Sequence, residues 1–256
     1  MGKTRIQWTE RTWNPITGCD KVSAGCKNCY AETMAMRLKA MGVKRYSNGF
    51  EVTLHPEALN EPKKIKQPSM FFVCSMSDLF NDKVPFEFID SVMEVIESCP
   101  QHTFQLLTKR PERMNEYFNN HRMFNVPDNV WLGTTVENGY ALVRLFTFTS
   151  ILNAKVKFLS CEPLLSDISN EGLDDLRDID WIIVGGESGP NARRMEKDWV
   201  LNIKAKCDAQ NVPFFFKQWG TFGEDGVKRD KKANGCLLDG KEYHAMPNQN
   251  DAFSNF

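Results

Sequence analysis

One event repeats along this chain: about four apolar residues, then a cluster of polar or small residues, then a stretch of helical periodicity. The instances are FFVC before SMSD from Phe71, FQLL before TKR from Phe104, and VWLG before TTVEN from Val130. VKFLS before CEP from Val156, WIIV before GGESG from Trp181 and PFFF before KQWG from Pro213 complete the series. Short runs so rich in β-branched and aromatic residues are the signature of strands buried on both faces of a parallel sheet. Successive starts lie about 25 to 33 residues apart, which leaves room for a strand and a returning helix. The intervening segments keep the helical period, with Ile89, Val92, Ile96 and Cys99 on one stripe and Trp199, Ile203 and Cys207 on another. Two earlier segments, Trp13 to Ile16 and Glu51 to Leu54, offer the first two strands. The pattern therefore predicts an α/β fold, a TIM-like (β/α) barrel of eight units.

No shift in composition interrupts residues 1–220, the predicted barrel. Beyond them GTFGEDGVKRDKKANG is polar and glycine-rich, and CLLDGKEYHAMP reads as a hairpin turning at Asp239 and Gly240. Residues 221–256 are expected to form a small C-terminal appendage packed on the barrel, with the basic run Lys228 to Lys232 as a solvated loop. A chain of 256 residues suits one barrel. The start MGKTRIQWTE has no apolar signal core and no run approaches bilayer length, so the expectation is a cytoplasmic protein without a membrane partner. In that compartment the eight cysteines are expected to be reduced, as metal ligands or as buried thiols. A net charge of −1 carries no bulk nucleic-acid footprint, so any polynucleotide contact has to be local.

The carboxyl ends of strands in a β/α barrel share the ligand-binding face. Ser75, Ser77, Asp78, Thr108, Lys109, Glu137, Glu162, Glu187 and Lys217 all follow apolar runs and are expected to converge there. Helix capping is the competing role for Ser77, Asp78 and Ser188, but it does not explain a Lys or Glu at nearly every strand end. The stretch NPITGCDKVSAGCKNCYAE places Cys19, Cys26 and Cys29 at the first such handover. Three thiolates on a four-iron cluster leave one iron open to a small molecule. A structural zinc asks for a fourth Cys or His nearby, and none occurs between Cys29 and His55. Of the other cysteines, Cys99 and Cys207 fall on apolar stripes, Cys74 lies in a strand, Cys161 stands at a strand mouth beside Glu162, and Cys236 is in the tail.

The spacing C-x6-C-x2-C followed by Tyr30 resembles the C-x3-C-x2-C motif of the radical S-adenosylmethionine (SAM) superfamily, with a longer first gap. The blocks NPITGC…GCKNCYAE, FFVCSMSDLF, QLLTKRPERM, VWLGTTVEN, FLSCEPLL, WIIVGGESGP and PFFFKQWG resemble a phage-associated family of three-cysteine-motif proteins of unknown function. That family is related to the spore photoproduct lyase branch of the superfamily. The resemblance implies a 4Fe-4S cluster on Cys19, Cys26 and Cys29, with SAM chelated to the open iron and cleaved to a 5′-deoxyadenosyl radical that takes a hydrogen atom from substrate.

The resemblance also implies roles for the strand ends. Ser75, Ser77 and Asp78 align with the segment that contacts the ribose and methionine of SAM, Thr108 and Lys109 partner its carboxylate, and Glu137 joins the cofactor set. Gly185, Gly186 and Glu187 resemble the GGE that holds the SAM amino group, but they follow the seventh strand rather than the second, so a substrate-facing Glu187 stays open. Arg193 and Arg194 suit an anionic substrate, with exposed helix charge as the alternative. Lys217, Gln218 and Trp219 offer an amine, an amide and a stacking plane to a nucleobase, the competing role for Trp219 being to close the barrel floor. Cys161 is a candidate hydrogen-atom donor, with Glu162 and Lys217 as further catalytic candidates.

The implied partners are a nucleobase or nucleoside in DNA and an electron donor such as flavodoxin or ferredoxin. The expected reaction modifies or rearranges a base substituent in phage DNA, in host cytoplasm if the chain is phage-encoded, with lyase, isomerase and transferase classes all open. The rival reading is a zinc-binding nucleic-acid-interaction protein without catalysis, and a three-thiolate zinc hydrolase ranks below it.

Overall fold

A computed structural model describes residues 3–123, 125–151 and 153–247. Its strands are β1 (Arg11–Trp13), β2 (Ile16–Thr17), β3 (Thr53–Leu54), β4 (Met70–Val73), β5 (Thr103–Thr108), β6 (Val130–Thr135), β7 (Val156–Cys161), β8 (Trp181–Gly185) and β9 (Phe214–Gln218). The α-helices are α1 (Tyr30–Ala40), α2 (Phe86–Glu97), α3 (Pro111–Asn115), α4 (Val143–Thr149), α5 (Ser169–Gly172), α6 (Lys197–Gln210) and α7 (Lys231–Asn234). All six apolar runs become strands, and the fold is α/β. The main sheet has seven strands in the order β1-β4-β5-β6-β7-β8-β9.

The expected eighth strand is absent from that sheet. Glu51 to Leu54 yields only the two-residue β3, which pairs antiparallel with β2 in a separate ribbon, Ile16 opposite Leu54 and Thr17 opposite Thr53. Pro15 has no N–H to donate, so β1 ends at Trp13, while the Pro15 carbonyl accepts from His55 N at 2.8 Å and extends the ribbon. The segment between α1 and β4 holds only short 3-10 turns besides β3 and supplies no crossover helix of the kind a parallel strand needs.

The chain groups into two compact units, residues 1–133 with 150–154, and residues 134–149 with 155–256. In the first, β1, β4 and β5 run parallel, in register through Trp13 with Val73 and Val73 with Leu106. Phe71 and Phe104 stack at 5.3 Å, Trp13 meets the edge of Phe104 at 5.8 Å, and the Trp13 indole donates to Ala58 O at 2.9 Å. The predicted stripe of α2 is wholly buried at Ile89, Val92 and Ile96. Each such side chain contributes about 1.5–3 kcal/mol.

In the second unit β7, β8 and β9 are parallel. Helix α6 buries Val200, Ile203 and Cys207 and ends at Asn211 in the left-handed region, φ 56°. Trp199, predicted on that stripe, is half-buried beside it. Gly186 meets the chain after β9 so closely that a Cβ there would lie 1.9 Å from Trp219 O. Trp219 is buried, its indole donating to Leu237 O at 2.7 Å and its ring edge-on to Phe216 at 4.9 Å.

The predicted C-terminal hairpin reduces to its turn. Asp239 and Gly240 both have positive φ, and Leu238 and Lys241 exchange two backbone bonds of 2.9 and 3.1 Å. Only isolated bridges accompany the turn among the described residues. The chain instead lies along β9, with Phe216 N bonded to Tyr243 O at 2.7 Å. Residues 248–256 of the expected appendage lie outside the described residues.

The packing at Gly186 makes a direct prediction. Gly186→Ala forces backbone against backbone and should cost about 3 kcal/mol or more of unfolding free energy in urea titrations. Gly185→Ala meets only the Glu162 side chain, at 3.3 Å, and should cost much less. Equal costs would refute the assignment of Gly186 to packing.

Candidate metal and cofactor site

The three cysteines sit on one segment between β2 and α1. Gly18 precedes them at φ 81°, and a Cβ there would lie 2.1 Å from Glu51 O, so only glycine fits. Gly18 N donates to Met76 O and Cys19 N to Phe50 O, each at 3.1 Å, which pins Cys19 to the backbone on two sides. From there to Cys29 the only regular structure is the 3-10 turn Ala24–Cys26. Cys29 occupies the N-cap of α1, and Cys29, Tyr46 and Phe50 pack against Ala31, Ala35 and Met76. The Tyr30 hydroxyl donates to Ser75 O.

Cys19, Cys26 and Cys29 are free, half-buried thiols, whereas Cys74, Cys99, Cys161 and Cys207 are buried. Burial pushes Cys74 and Cys207 up to about 12 and raises Cys161 as well. The Lys21 ammonium pairs with Glu32 at 2.8 Å and lies within electrostatic reach of both Cys29 and Cys26. Among the described residues no three His, Cys, Asp or Glu side chains are already gathered as a metal site. The donor set nonetheless suits an iron-sulfur cluster in its chemistry: three soft, accessible thiols on a segment with little fixed structure.

Cys19 is the one held most firmly. Arg110 Nη1 donates to its sulfur at 3.6 Å and to Asp78 Oδ2 at 3.1 Å, while Nη2 donates to Asp20 O at 3.2 Å. Asn81 Nδ2 lies 3.8 Å from the same sulfur. Burial and the Asp78 carboxylate raise the Cys19 pKa, against the opposing pull of Arg110. Asp78 accepts from the Thr108 hydroxyl at 2.7 Å, Phe80 N at 3.0 Å and Lys109 N at 3.2 Å. The Lys109 ammonium, half-buried at the end of β5, has no ion-pair partner among the described residues. Ser75 donates to Asn14 Oδ1 at 3.2 Å and Ser77 to Ile16 O at 2.9 Å, so both hydroxyl protons are used within the protein.

In the second unit the strand-end charges are paired. Glu137 is wholly buried and accepts from Arg144 at 2.8 Å. Glu187, also buried, takes three bonds from Arg193, from its backbone N at 2.8 Å, Nε at 2.9 Å and Nη2 at 2.5 Å. That pairing raises the Arg193 pKa, with Glu137 adding to it. Glu162 and Lys217 form a two-oxygen ion pair at 2.6 and 2.7 Å. Gly185 ends β8 with its backbone beside Glu162.

Four of the candidate residues have the following surroundings. Cys161, read as standing at a strand mouth, ends β7 with no exposed surface, and the nearby Cys207 of α6 adds to its raised pKa. Arg194 is exposed and pairs with Glu196 at 3.0 Å, but on a loop rather than a helix. Gln218 reaches the Ser188 hydroxyl at 3.4 Å. Trp219, buried with its N–H in use, presents no stacking plane.

Arg110 and Asn81 escaped the sequence reading. The available signal was the unbroken polar run Thr108, Lys109, Arg110 before Pro111, which starts α3 and leaves Arg110 at its N-cap.

A family model described as a protein of unknown function, DUF5131, matches residues 3–247. No curated protein matches the chain. Among solved structures it is similar to a cysteine-to-serine mutant of spore photoproduct lyase, at 12% identity and a TM-score of 0.46, covering 80% of this chain and 63% of that one. A double mutant of the same enzyme with bound AdoMet and dinucleoside spore photoproduct gives the same four figures. A tyrosine-to-phenylalanine mutant gives 12% identity and a TM-score of 0.42 over 91% and 74% of the two chains. The chain thus spans about 63% of the length of the first two lyase structures.

Thiol exposure can be read directly. In native, metal-free protein at pH 8, iodoacetamide should label Cys26 and Cys29 first and Cys19 more slowly. Cys74, Cys99, Cys161 and Cys207 should label only after unfolding, as followed by peptide mass spectrometry. Native labelling of Cys161 at the rate of Cys26 would contradict its enclosure.

Proposed function

We propose, for a chain that belongs to the DUF5131 family, a radical SAM enzyme that holds a 4Fe-4S cluster on Cys19, Cys26 and Cys29 and acts on a nucleobase or nucleoside in DNA. The observation that carries this reading is the division among the cysteines. Three half-buried thiols share the segment before α1, four others are shut in the core, and the eighth, Cys236, is half-buried far along the chain beside Glu242. Three thiolates on a four-iron cluster leave one iron with a coordination position for an exogenous chelator. Once bound and reduced by an external electron donor, such a cluster would supply the single electron for cleaving the C5′–S bond of SAM to methionine and a hydrogen-abstracting 5′-deoxyadenosyl radical.

The protein's own part is to bind, orient and exclude water. Lys109, with no ion-pair partner among the described residues, receives the SAM carboxylate as a point charge, while Asp78 and Thr108 fix the strand end that carries it. Ser75 and Ser77 line the adjoining turn and are assigned to the ribose, which they would meet as acceptors, since their protons go to Asn14 and to Ile16 O. In the second unit Glu137, wholly buried against Arg144, and Gly186, whose space Trp219 O fills, are left out of the cofactor set. On the strand ends and loops of the second unit, Arg193, Arg194 and Gln218 are the substrate candidates and the Glu162–Lys217 pair the catalytic one. Cys161 and Trp219, enclosed as they are, take no part.

Anaerobic reconstitution with iron and sulfide should give a brown protein with about four irons and four sulfides per chain, and Ala at Cys19, Cys26 or Cys29 should abolish loading. Reduction in the presence of SAM should release 5′-deoxyadenosine. A colourless protein carrying one zinc would reject the proposal in favour of the zinc-binding reading. 5′-Deoxyadenosine without an altered nucleoside, by mass spectrometry of treated DNA, would reject only the substrate.

Lys109→Ala should weaken SAM binding by about 10- to 100-fold in equilibrium dialysis, the loss of one charged hydrogen bond. Unchanged affinity would remove Lys109 from the site.

A further inference from the structure

We infer that Arg110 is a positioning residue for the first cluster ligand: its guanidinium, aimed by Asp78, fixes the Cys19 thiolate and makes the cluster easier to reduce. This rests on the proposed cluster. Arg110 is buried, and its two terminal nitrogens span the Cys19 sulfur, the Asp78 carboxylate and the Asp20 carbonyl at 3.6, 3.1 and 3.2 Å. The cation therefore touches both the ligand atom and the peptide next to it. Asp78 is itself immobilised by the Thr108 hydroxyl and by two backbone N–H groups, so the aim of Arg110 is set by the end of β5 and not by solvent. Pro111 sets the backbone immediately after Arg110, at the start of α3.

The three thiols differ in their surroundings. Cys26 has the Ser23 hydroxyl 3.8 Å away, and the cation near Cys26 and Cys29 is Lys21, exposed and paired with Glu32. Only Cys19 has a buried guanidinium bonded to its sulfur among the described residues. A hydrogen bond and a fixed positive charge at a cluster thiolate stabilise the reduced, more negative state, and so raise the reduction potential. Partners that hold a ligand from outside the coordination sphere typically change metal affinity by about 10- to 100-fold when removed.

The competing role for Arg110 is purely structural, a buried ion pair tying the turn after β4 to the end of β5. Thermal stability does not separate the two roles, because both predict a loss. The midpoint potential of the reconstituted cluster, by EPR-monitored redox titration, and the rate of iron loss to a chelator do separate them.

In Arg110→Gln the potential should move to more negative values and iron should leave about tenfold faster. In Arg110→Lys, which keeps the charge but loses the fork, both readings should fall between Arg110→Gln and the unaltered protein. Variants that load iron with unchanged potential and unchanged retention would overturn the inference and leave the proposed function standing. Failure of the unaltered protein to load a cluster would overturn both. If Arg110→Gln does not fold, the same readings on Arg110→Lys decide: a shift in potential supports positioning, and none refutes it.

Discussion

A carboxylate taken out of water has to be paid back by its neighbours, and Asp78 is the case around which the first unit is organised. Its two oxygens accept from a hydroxyl, two backbone N–H groups and a guanidinium, drawn from the turn after β4 and from the end of β5. Removing one partner from a buried charge typically costs about 3–5 kcal/mol, so neither segment can drift from the other cheaply. Through Arg110 the same carboxylate reaches the sulfur of Cys19. The positive φ of Cys74 marks where the chain leaves β4 to bring Asp78 into place. Fold and candidate chemistry meet at this one residue.

Much of the scaffold was legible because it is written in apolar runs. Phe71, Phe104, Val130, Val156, Trp181 and Phe214 each fall at or near the start of a strand, and the α2 stripe is buried where the periodicity placed it. The eighth strand was misjudged because Thr53 and Leu54 look like strand residues and are, but in the wrong sheet. Local propensity does not report a pairing partner. The decisive signal was Pro15, one residue that ends a ladder.

The candidate site was legible in its residue types and less so in its pairings. Asp78, Thr108 and Lys109 do come together, whereas Arg110, the last of the same polar run, carries no separate signal in the sequence. Arg193 reaches back six positions to Glu187, a spacing that belongs to a loop and has no periodic signature. Gly186 shows the same ambiguity from the other side. A glycine needed for a ligand and one needed for a neighbouring carbonyl are the same letter, and here Trp219 O occupies the space. Trp219 likewise could stack or fill, and filling won.

The long first gap between cysteines has a mechanical consequence. Cys19 is moored to the backbones of Phe50 and, through Gly18, of Met76, while the six residues from Asp20 to Gly25 make up a tether without strand or α-helix. Drawing Cys26 toward that fixed post would cost the ordering of the tether, on the order of 1–2 kcal/mol per residue, and would leave the sheet undisturbed. A cluster on these thiols would therefore be closed locally on a scaffold already folded, and would not be a condition of folding.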